Sequence, residues 1–408
     1  MVGVLSFFYK YIFIILLQFF SSNSYSQYLT LDSHIDIPFD YMDNVNHDPG
    51  KLTKMQVDFF KMQSGSLDSG FFIVYVKQDE LTSHGYNEAK RLSMLKFKAI
   101  HKMIKVYPDK IILALKPEDI RQAKKDGKFS AAIGIENGYI IGNDINLLQT
   151  FYDLGARYIT LSHIGHNQIS DSSIPKKSLK DLPELHGGLS PFGKKVISKM
   201  NDLGIMVDIS HISDKAAIQA IELSKVPVIA SHSSVRSIAN HPRNLPDNII
   251  KRIAEKNGVI QVVAFSSYIE LNLKRTNAIK KLGNLVAHLS GDERFIYNKH
   301  SKTLKYKEEM KVINKIFPLP TVSDFVDHIE YIINLVGIDY VGIASDFGGG
   351  GGIDGWIDAS ETKNITLALK ERGYSKSDIK KVWSENILRV WTEADNFSSR
   401  EAMHDLFD

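Results

Sequence analysis

Six apolar runs in this chain end in a side chain that can bind a metal ion: His34 with Asp36, then Glu136, His163, His211, His232 and Asp346. His34 and Asp36 are two residues apart, so a strand would aim both at one face, where they can chelate a single ion. His211 and His232 are one strand–helix unit apart and would meet across neighbouring strands. Imidazole with carboxylate suits zinc and related divalent ions, and a carboxylate can bridge two of them. Each position also has an ordinary reading: a satisfied core histidine, a capped loop carboxylate at Glu136, a turn residue before glycines at Asp346. Fourteen histidines scattered at random would not place four behind apolar runs. The set together reads as a metal site. Asp208 has the opposite strand parity to His211, which leaves it as a supporting group behind a ligand or as a core carboxylate. His166, His186 and His241 fall in loops and read as surface residues.

These residues need a frame that brings them together. Strand candidates are 28–37, 71–76, 131–136, 158–163, 206–211, 228–232, 259–265 and 340–346, with a short ninth at 111–115. Most are near-continuous apolar runs, as in strands buried on both faces of a parallel sheet. Amphipathic helices separate them. Ser190 and Pro191 start one that Gly204 ends, 144–154 forms another before Gly155, and Ser213 caps a third that stops before Pro227. Eight strands alternating with helices predict a (β/α)8 TIM-like barrel in a single domain, with an open doubly wound sheet as the alternative. In a barrel all C-terminal strand ends open on one mouth. Residues 270–319 are polar, basic and helical, and form an excursion before the last strand.

Composition narrows the chemistry. The 408 residues are 43% hydrophobic and 24% charged, ordinary for a globular protein. A net charge of +3 gives no reason to expect nucleic acid or an anionic membrane as partner. With no cysteine there can be no disulfide, thiolate site or cysteine nucleophile, so a metal must rest on His, Asp and Glu. Residues 1–26 read as a signal peptide cleaved near Ser26, with an uncleaved N-terminal anchor as the rival. The chain is then exported, periplasmic or secreted, with no stable membrane insertion once the leader is gone. Residues 27–395 form the barrel and 396–408 a C-terminal tail.

Other motifs carry little. Gly350-x-Gly352-x-x-Gly355 matches a dinucleotide fingerprint but sits inside a run of five glycines with no strand after it. It reads as a flexible loop at the barrel mouth. No G-x-S-x-G, H-E-x-x-H or Walker A motif exists. Spacing leaves a Ser-His-Asp triad open, but nothing positions one.

At the level of motifs the chain resembles the membrane (renal) dipeptidases, peptidase family M19, within the amidohydrolase-like metal barrels. The resemblance spans about residues 31–391. It rests on LDSHIDIP (31–38), IGIENG (133–138), LGARYITLSH (154–163), GLSPFG (188–193), MVDISH (206–211), VIASHSSVRSIANHPRN (228–244), HIEYIINLVGIDYVGIASDF (328–347), and RGYS followed by NILRVW (372–391). The family implies two zinc ions per chain: His34 and Asp36 on one, His211 and His232 on the other, Glu136 bridging. It further implies that His163 and Arg243 contact substrate and that Asp346 transfers the proton. One departure is visible: where the family commonly reads DFDG, this chain has Asp346-Phe347-Gly348-Gly349.

The implied activity is zinc-dependent hydrolysis of dipeptides by a metal-bridging hydroxide. His163 would stabilise the oxyanion, Asp346 would pass the proton to the leaving amine, and Arg243 would clamp the free carboxylate. Alternatives are another binuclear amidohydrolase acting on a lactone, a β-lactam or an N-acyl amino acid, or a non-catalytic metal-containing binding protein. The expected partner is a small dipeptide substrate, and the resemblance allows a homodimer.

Overall fold

A parallel sheet runs through the computed structural model, which describes residues 28–404. The leader reading for 1–26 lies outside the described residues. The strands are β1 (Leu31–Asp36), β2 (Ser69–Tyr75), β3 (Ile111–Leu113), β4 (Phe129–Glu136), β5 (Ala156–Thr160), β6 (Met206–Asp208), β7 (Ile229–Ala230), β8 (Val259–Val263) and β9 (Val341–Ala344). All pairs are parallel, in the order β1-β2-β4-β5-β6-β7-β8-β9. The last strand returns to the first: the Asp346 amide donates to the His34 carbonyl (3.1 Å) and the Asp36 amide to that of Phe347 (2.7 Å). The result is a (β/α)8 barrel. β3 stands outside the order. It pairs with the first residues of β4, from Phe129 to Ala131, and β5 takes over the same edge from Ile133.

Side chains alternate between two buried layers. Leu31, Phe71, Ile73, Ala132, Tyr158, Met206, Ile229 and Val259 fill the barrel interior. Ile35, Phe72, Val74, Ile133, Ile159, Val207, Ile260 and Ile343 face the surrounding helices. That two-sided burial explains why the strands read as continuous apolar runs. The helix Asn386–His404 sends Trp391 into the interior layer, where its ring meets Phe71 at 5.5 Å. This helix runs through the expected boundary at 395, so residues 396–404 continue it rather than forming a separate tail.

The helix signals act as expected at two sites. Ser190 accepts from the Gly193 amide (2.8 Å) ahead of Pro191–Leu203, and Gly204 ends that helix at φ 77°. Ser213 caps Asp214–Leu223 through the Ala216 amide (3.2 Å). The excursion folds as Leu273–Leu289, Tyr297–His300 and Leu304–Ile316, with a small core of its own around Leu282, Val286, Tyr306 and Ile313. The helix Val322–Val336 then leads back to β9. Among the described residues, no helix is long and apolar enough to cross a membrane.

Four strands stop before the metal-binding side chains that their apolar runs had included. β5, β6, β7 and β9 end at Thr160, Asp208, Ala230 and Ala344. His211 and Asp346 have φ of 69° and 57°, a left-handed backbone that no strand contains. They lie on the turns that leave the strands.

Trp391→Ala would open the floor of the barrel interior, where the indole is fully buried. The expected cost is about 3–5 kcal/mol in denaturant unfolding; a loss under about 1 kcal/mol would contradict the packing role assigned to this ring.

Candidate metal centre

The aim of His34 and Asp36 depends on an irregularity in β1. Leu31 lies in the barrel interior, so strict alternation would also bring Ile35 inward. Instead Asp32 pairs with Gly70 and Ile35 with Phe72, three residues of β1 against two of β2. The extra residue reverses the parity. Ile35 joins the outer layer, while His34 and Asp36 turn toward the mouth.

Positive φ aims three other strand ends. His211 and Asp346 are left-handed, and Asn137, directly after Glu136, has φ 82°. A non-glycine residue held there costs roughly 1–3 kcal/mol, and such positions cluster at functional sites.

Metal-binding side chains from six strand ends meet at the mouth. Glu136 Oε1 lies 2.9 Å from His211 Nε2, 3.3 Å from His232 Nε2, 3.6 Å from His163 Nε2 and 3.8 Å from His34 Nε2. The Nε2 atoms of His211 and His232 are 2.8 Å apart, and His34 Nε2 is 3.5 Å from Asp36 Oδ2. Three overlapping sets have ligand atoms within 4.8 Å of one another: His34 with Glu136 and His232, Glu136 with His163 and His211, and His34 with Asp36 and Asp346. Glu136 and His34 each belong to two of them.

These groups fit divalent cations. Ligands about 2.0–2.1 Å from a tetrahedral zinc stand about 3.4 Å from one another, close to the spacings around Glu136 Oε1. His34 Nε2 is fully buried and has no hydrogen-bond partner among the described residues. The donor set is imidazole and carboxylate, which zinc accepts.

Crowding shifts the acid–base balance. Burial, with the neighbouring Asp36 and Asp346 charges, pushes Glu136 up to about 8. Burial and Asp36 push Asp346 up to about 7. Burial would lower His34, but Asp36, Glu136 and Asp346 outweigh it and hold it at about 9. For Asp36, burial is outweighed by His34 and the nearby Lys96, and the carboxyl is lowered. Burial and the Arg243 charge depress His163 to about 3 and keep His211 well below the usual range. His232 is lowered by burial and by the charge of His34.

Arg243 lies against the same mouth. Its guanidinium donates to the His232 carbonyl (3.0 Å) and sits 5.4 Å from the Tyr268 ring. It is buried, Nε has no partner, and no carboxylate pairs with it among the described residues. His163 keeps a solvent-facing edge, with Nδ1 3.4 Å from the Tyr75 hydroxyl.

The glycine run is pinned rather than loose. The Gly348 amide donates to Gln56 Oε1 (2.8 Å), and Gln56 Nε2 donates to the Gly351 carbonyl (2.9 Å). Gly348 has φ 84°, and a Cβ there would stand 2.4 Å from the Asp36 carbonyl oxygen. The loop thus requires glycine where the DFDG pattern carries aspartate. A Cβ on Gly349 would fall 2.2 Å from Asp346 Oδ1 and 2.5 Å from Asp36 Oδ2, so this loop also shapes the carboxylate pair.

His166 is not a surface residue: it is buried, with Nε2 2.8 Å from the Leu182 carbonyl. His186 reaches the Asn167 carbonyl (2.8 Å), and the His241 ring packs 4.6 Å from Tyr268. Tyr75, Lys96, Tyr158 and Ser231 escaped the sequence reading because hydroxyl and ammonium groups inside apolar runs or on helices carry no spacing signal.

Comparisons with known proteins agree with one another. A family model described as membrane dipeptidase (peptidase family M19) matches residues 22–405. Dipeptidase tcpJ of Claviceps purpurea (strain 20.1) is 26% identical over 368 residues, 89% of this chain and 75% of that protein. The crystal structure of the probable dipeptidase PvdM from Pseudomonas aeruginosa is 33% identical, with a TM-score of 0.79 over 91% of this chain and 97% of that one. A metallo peptidase from Rhodobacter sphaeroides, solved with a phosphinate mimic of the dipeptide L-Ala-D-Ala, shares the fold. Its identity is 19% and its TM-score 0.69, over 90% of this chain and 99% of that one.

The shifted groups set the pH response of the metal-free protein. Unfolded, Glu136 and Asp346 lose their protons near 4.5 and 3.8; folded, they keep them to about 8 and about 7. His34 keeps its proton to about 9 instead of 6.5. All three make the folded chain bind more protons than the unfolded one above pH 6.5, so stability falls as pH rises. The lowered His163, His211 and His232 act mainly below that pH, where they make stability rise with pH. The melting temperature of chelator-treated protein should therefore fall between pH 6.5 and 9; a rise would contradict the charge balance described here.

Proposed function

The chain belongs to the membrane dipeptidase family, peptidase family M19, and on that premise we propose that it hydrolyses dipeptides using two zinc ions held at the barrel mouth. His34 and Asp36 would hold one ion, His211 and His232 the other, and Glu136 would bridge. The observation that carries this reading is Glu136 Oε1, which stands within 4 Å of four imidazole nitrogens from four different strand ends. When bound, the ions would polarise the scissile carbonyl and lower the pKa of a water so that it attacks near neutral pH.

The remaining steps belong to the side chains. Arg243 offers a desolvated guanidinium with no anionic partner among the described residues, which fits the free carboxylate of a dipeptide in two parallel hydrogen bonds. That clamp sets the distance from the C-terminus to the scissile bond and so favours dipeptides over longer chains. His163 is neutral, held near Glu136, and would donate a hydrogen bond to the oxygen that gains charge. Asp346 stands beside His34 and Asp36 at the end of β9, where its carboxylate would take a proton from the attacking water and deliver it to the leaving amine. The pinned glycine loop keeps that carboxylate next to Asp36. We also propose that 1–26 is an export leader, on the strength of its apolar run at 11–20.

One assay tests the activity and the clamp together. Wild-type protein should cleave free dipeptides, lose this activity to chelator and regain it with zinc. Arg243→Ala should raise KM for free dipeptides roughly 10- to 100-fold, the loss of hydrogen bonds between charged groups, with little effect on a dipeptide amide. Turnover that ignores the chelator, or equal losses on acid and amide, would contradict the reading.

A further inference from the structure

Two imidazoles of the centre each lean on a hydroxyl whose single proton is already committed elsewhere. Tyr158 Oη is 2.9 Å from the Ser33 carbonyl oxygen and 2.9 Å from His34 Nδ1. A carbonyl can only accept, so the phenol donates to Ser33 and its oxygen accepts from Nδ1–H. Ser231 Oγ is 2.6 Å from Asp208 Oδ2 and 2.8 Å from His232 Nδ1. The Asp208 carboxylate also accepts from the Thr160 hydroxyl, the Ser231 amide (2.8 Å) and the Ser210 amide (3.0 Å). A carboxylate has only acceptors, so the serine proton points at it. His232 Nδ1 is then the donor to Ser231 Oγ.

We propose that Tyr158 and the Ser231–Asp208 pair are positioning residues that hold a proton on Nδ1 of His34 and of His232, so that Nε2 is the nitrogen each ring offers to a metal ion. This rests on the metal reading above and deepens it. An imidazole free to choose would spend part of its time with the proton on the ligating nitrogen, and rotating the ring would misdirect the lone pair. The fold invests in these contacts. Tyr158 crosses the barrel interior from β5 because β4 carries Gly134 beneath it, where a Cβ would come within 2.3 Å of the phenol ring. Asp208 lies inside the barrel on β6, fully buried, and accepts hydrogen bonds from Ser231, Thr160 and the Ser210 turn amide. His211 is unlike the other two: its Nδ1 has no partner among the described residues, so the same device does not act there.

The test is long-range proton–nitrogen NMR on metal-free protein labelled with 15N-histidine, joined to zinc affinity measured by competition with a chromogenic chelator. In the wild type, His232 should show a protonated Nδ1 and a bare Nε2, and His34 a protonated Nδ1. Tyr158→Phe and Ser231→Ala remove one hydroxyl each with little change in volume. Each should weaken zinc binding roughly 10- to 100-fold, and Ser231→Ala should bring in the other tautomer at His232 only. A bare Nδ1 on either ring of the wild type would overturn the proposal, and this measurement stands even if a variant fails to fold. So would two folded variants with wild-type zinc affinity and unchanged spectra. A wild-type chain that bound no zinc would defeat the metal reading instead, while the metal-free spectra would still report where the two protons sit.

Discussion

Acceptors gathered in a dry place repel one another unless something positive joins them, and this constraint governs the mouth of the barrel. Three carboxylates and a set of imidazole nitrogens face one another from different strands, with Glu136 Oε1 at their centre. Without a cation the cluster compensates internally: protons remain on Glu136 and Asp346 at pH values where free carboxyls have lost them, and His34 stays charged. Divalent ions would take over the role of those protons. The same positive charge that holds the ligands would be available to activate water and carbonyl, so binding and chemistry draw on one source.

The rest of the molecule holds these groups against their repulsion. The barrel supplies a rigid ring of strand ends, and the packed interior with Trp391 at its floor keeps the ring from relaxing. Fine aim comes from departures from ideal geometry. An added residue in β1 turns His34 and Asp36 inward, and left-handed turns at His211 and Asp346 swing those side chains over the opening. Behind the ligands, hydroxyls already bound to Ser33 and Asp208 receive Nδ1 of two histidines. Beside them, Gln56 ties down the glycine loop that lies on Asp36 and Asp346.

Much of this was legible in the sequence because burial on both strand faces writes itself as apolar runs. The histidines and carboxylates that interrupt the ends of those runs stand out by contrast. Parity was legible only locally. The i, i+2 relation of His34 and Asp36 holds, but counting from Leu31 would have aimed both outward, since a bulge has no residue signature in Asp32-Ser33-His34. Strand ends were overrun at His211 and Asp346 because apolarity continues past the point where the backbone turns left-handed. Tyr158 read as one more apolar strand residue, although its hydroxyl reaches His34 from across the barrel. The role of Asp208 stayed open because it acts through Ser231, and a relay between neighbouring strands leaves no spacing to read. Arg243 sits in a polar loop, and only the fold reveals that it is buried.

Anomalous X-ray diffraction at the zinc edge, on crystals grown with zinc, tests the central claim most directly. Two peaks roughly 3.5–4 Å apart are expected, one reached by His34 and Asp36, the other by His211 and His232, with Glu136 touching both. A single peak, or peaks that leave Glu136 on one side, would contradict that claim.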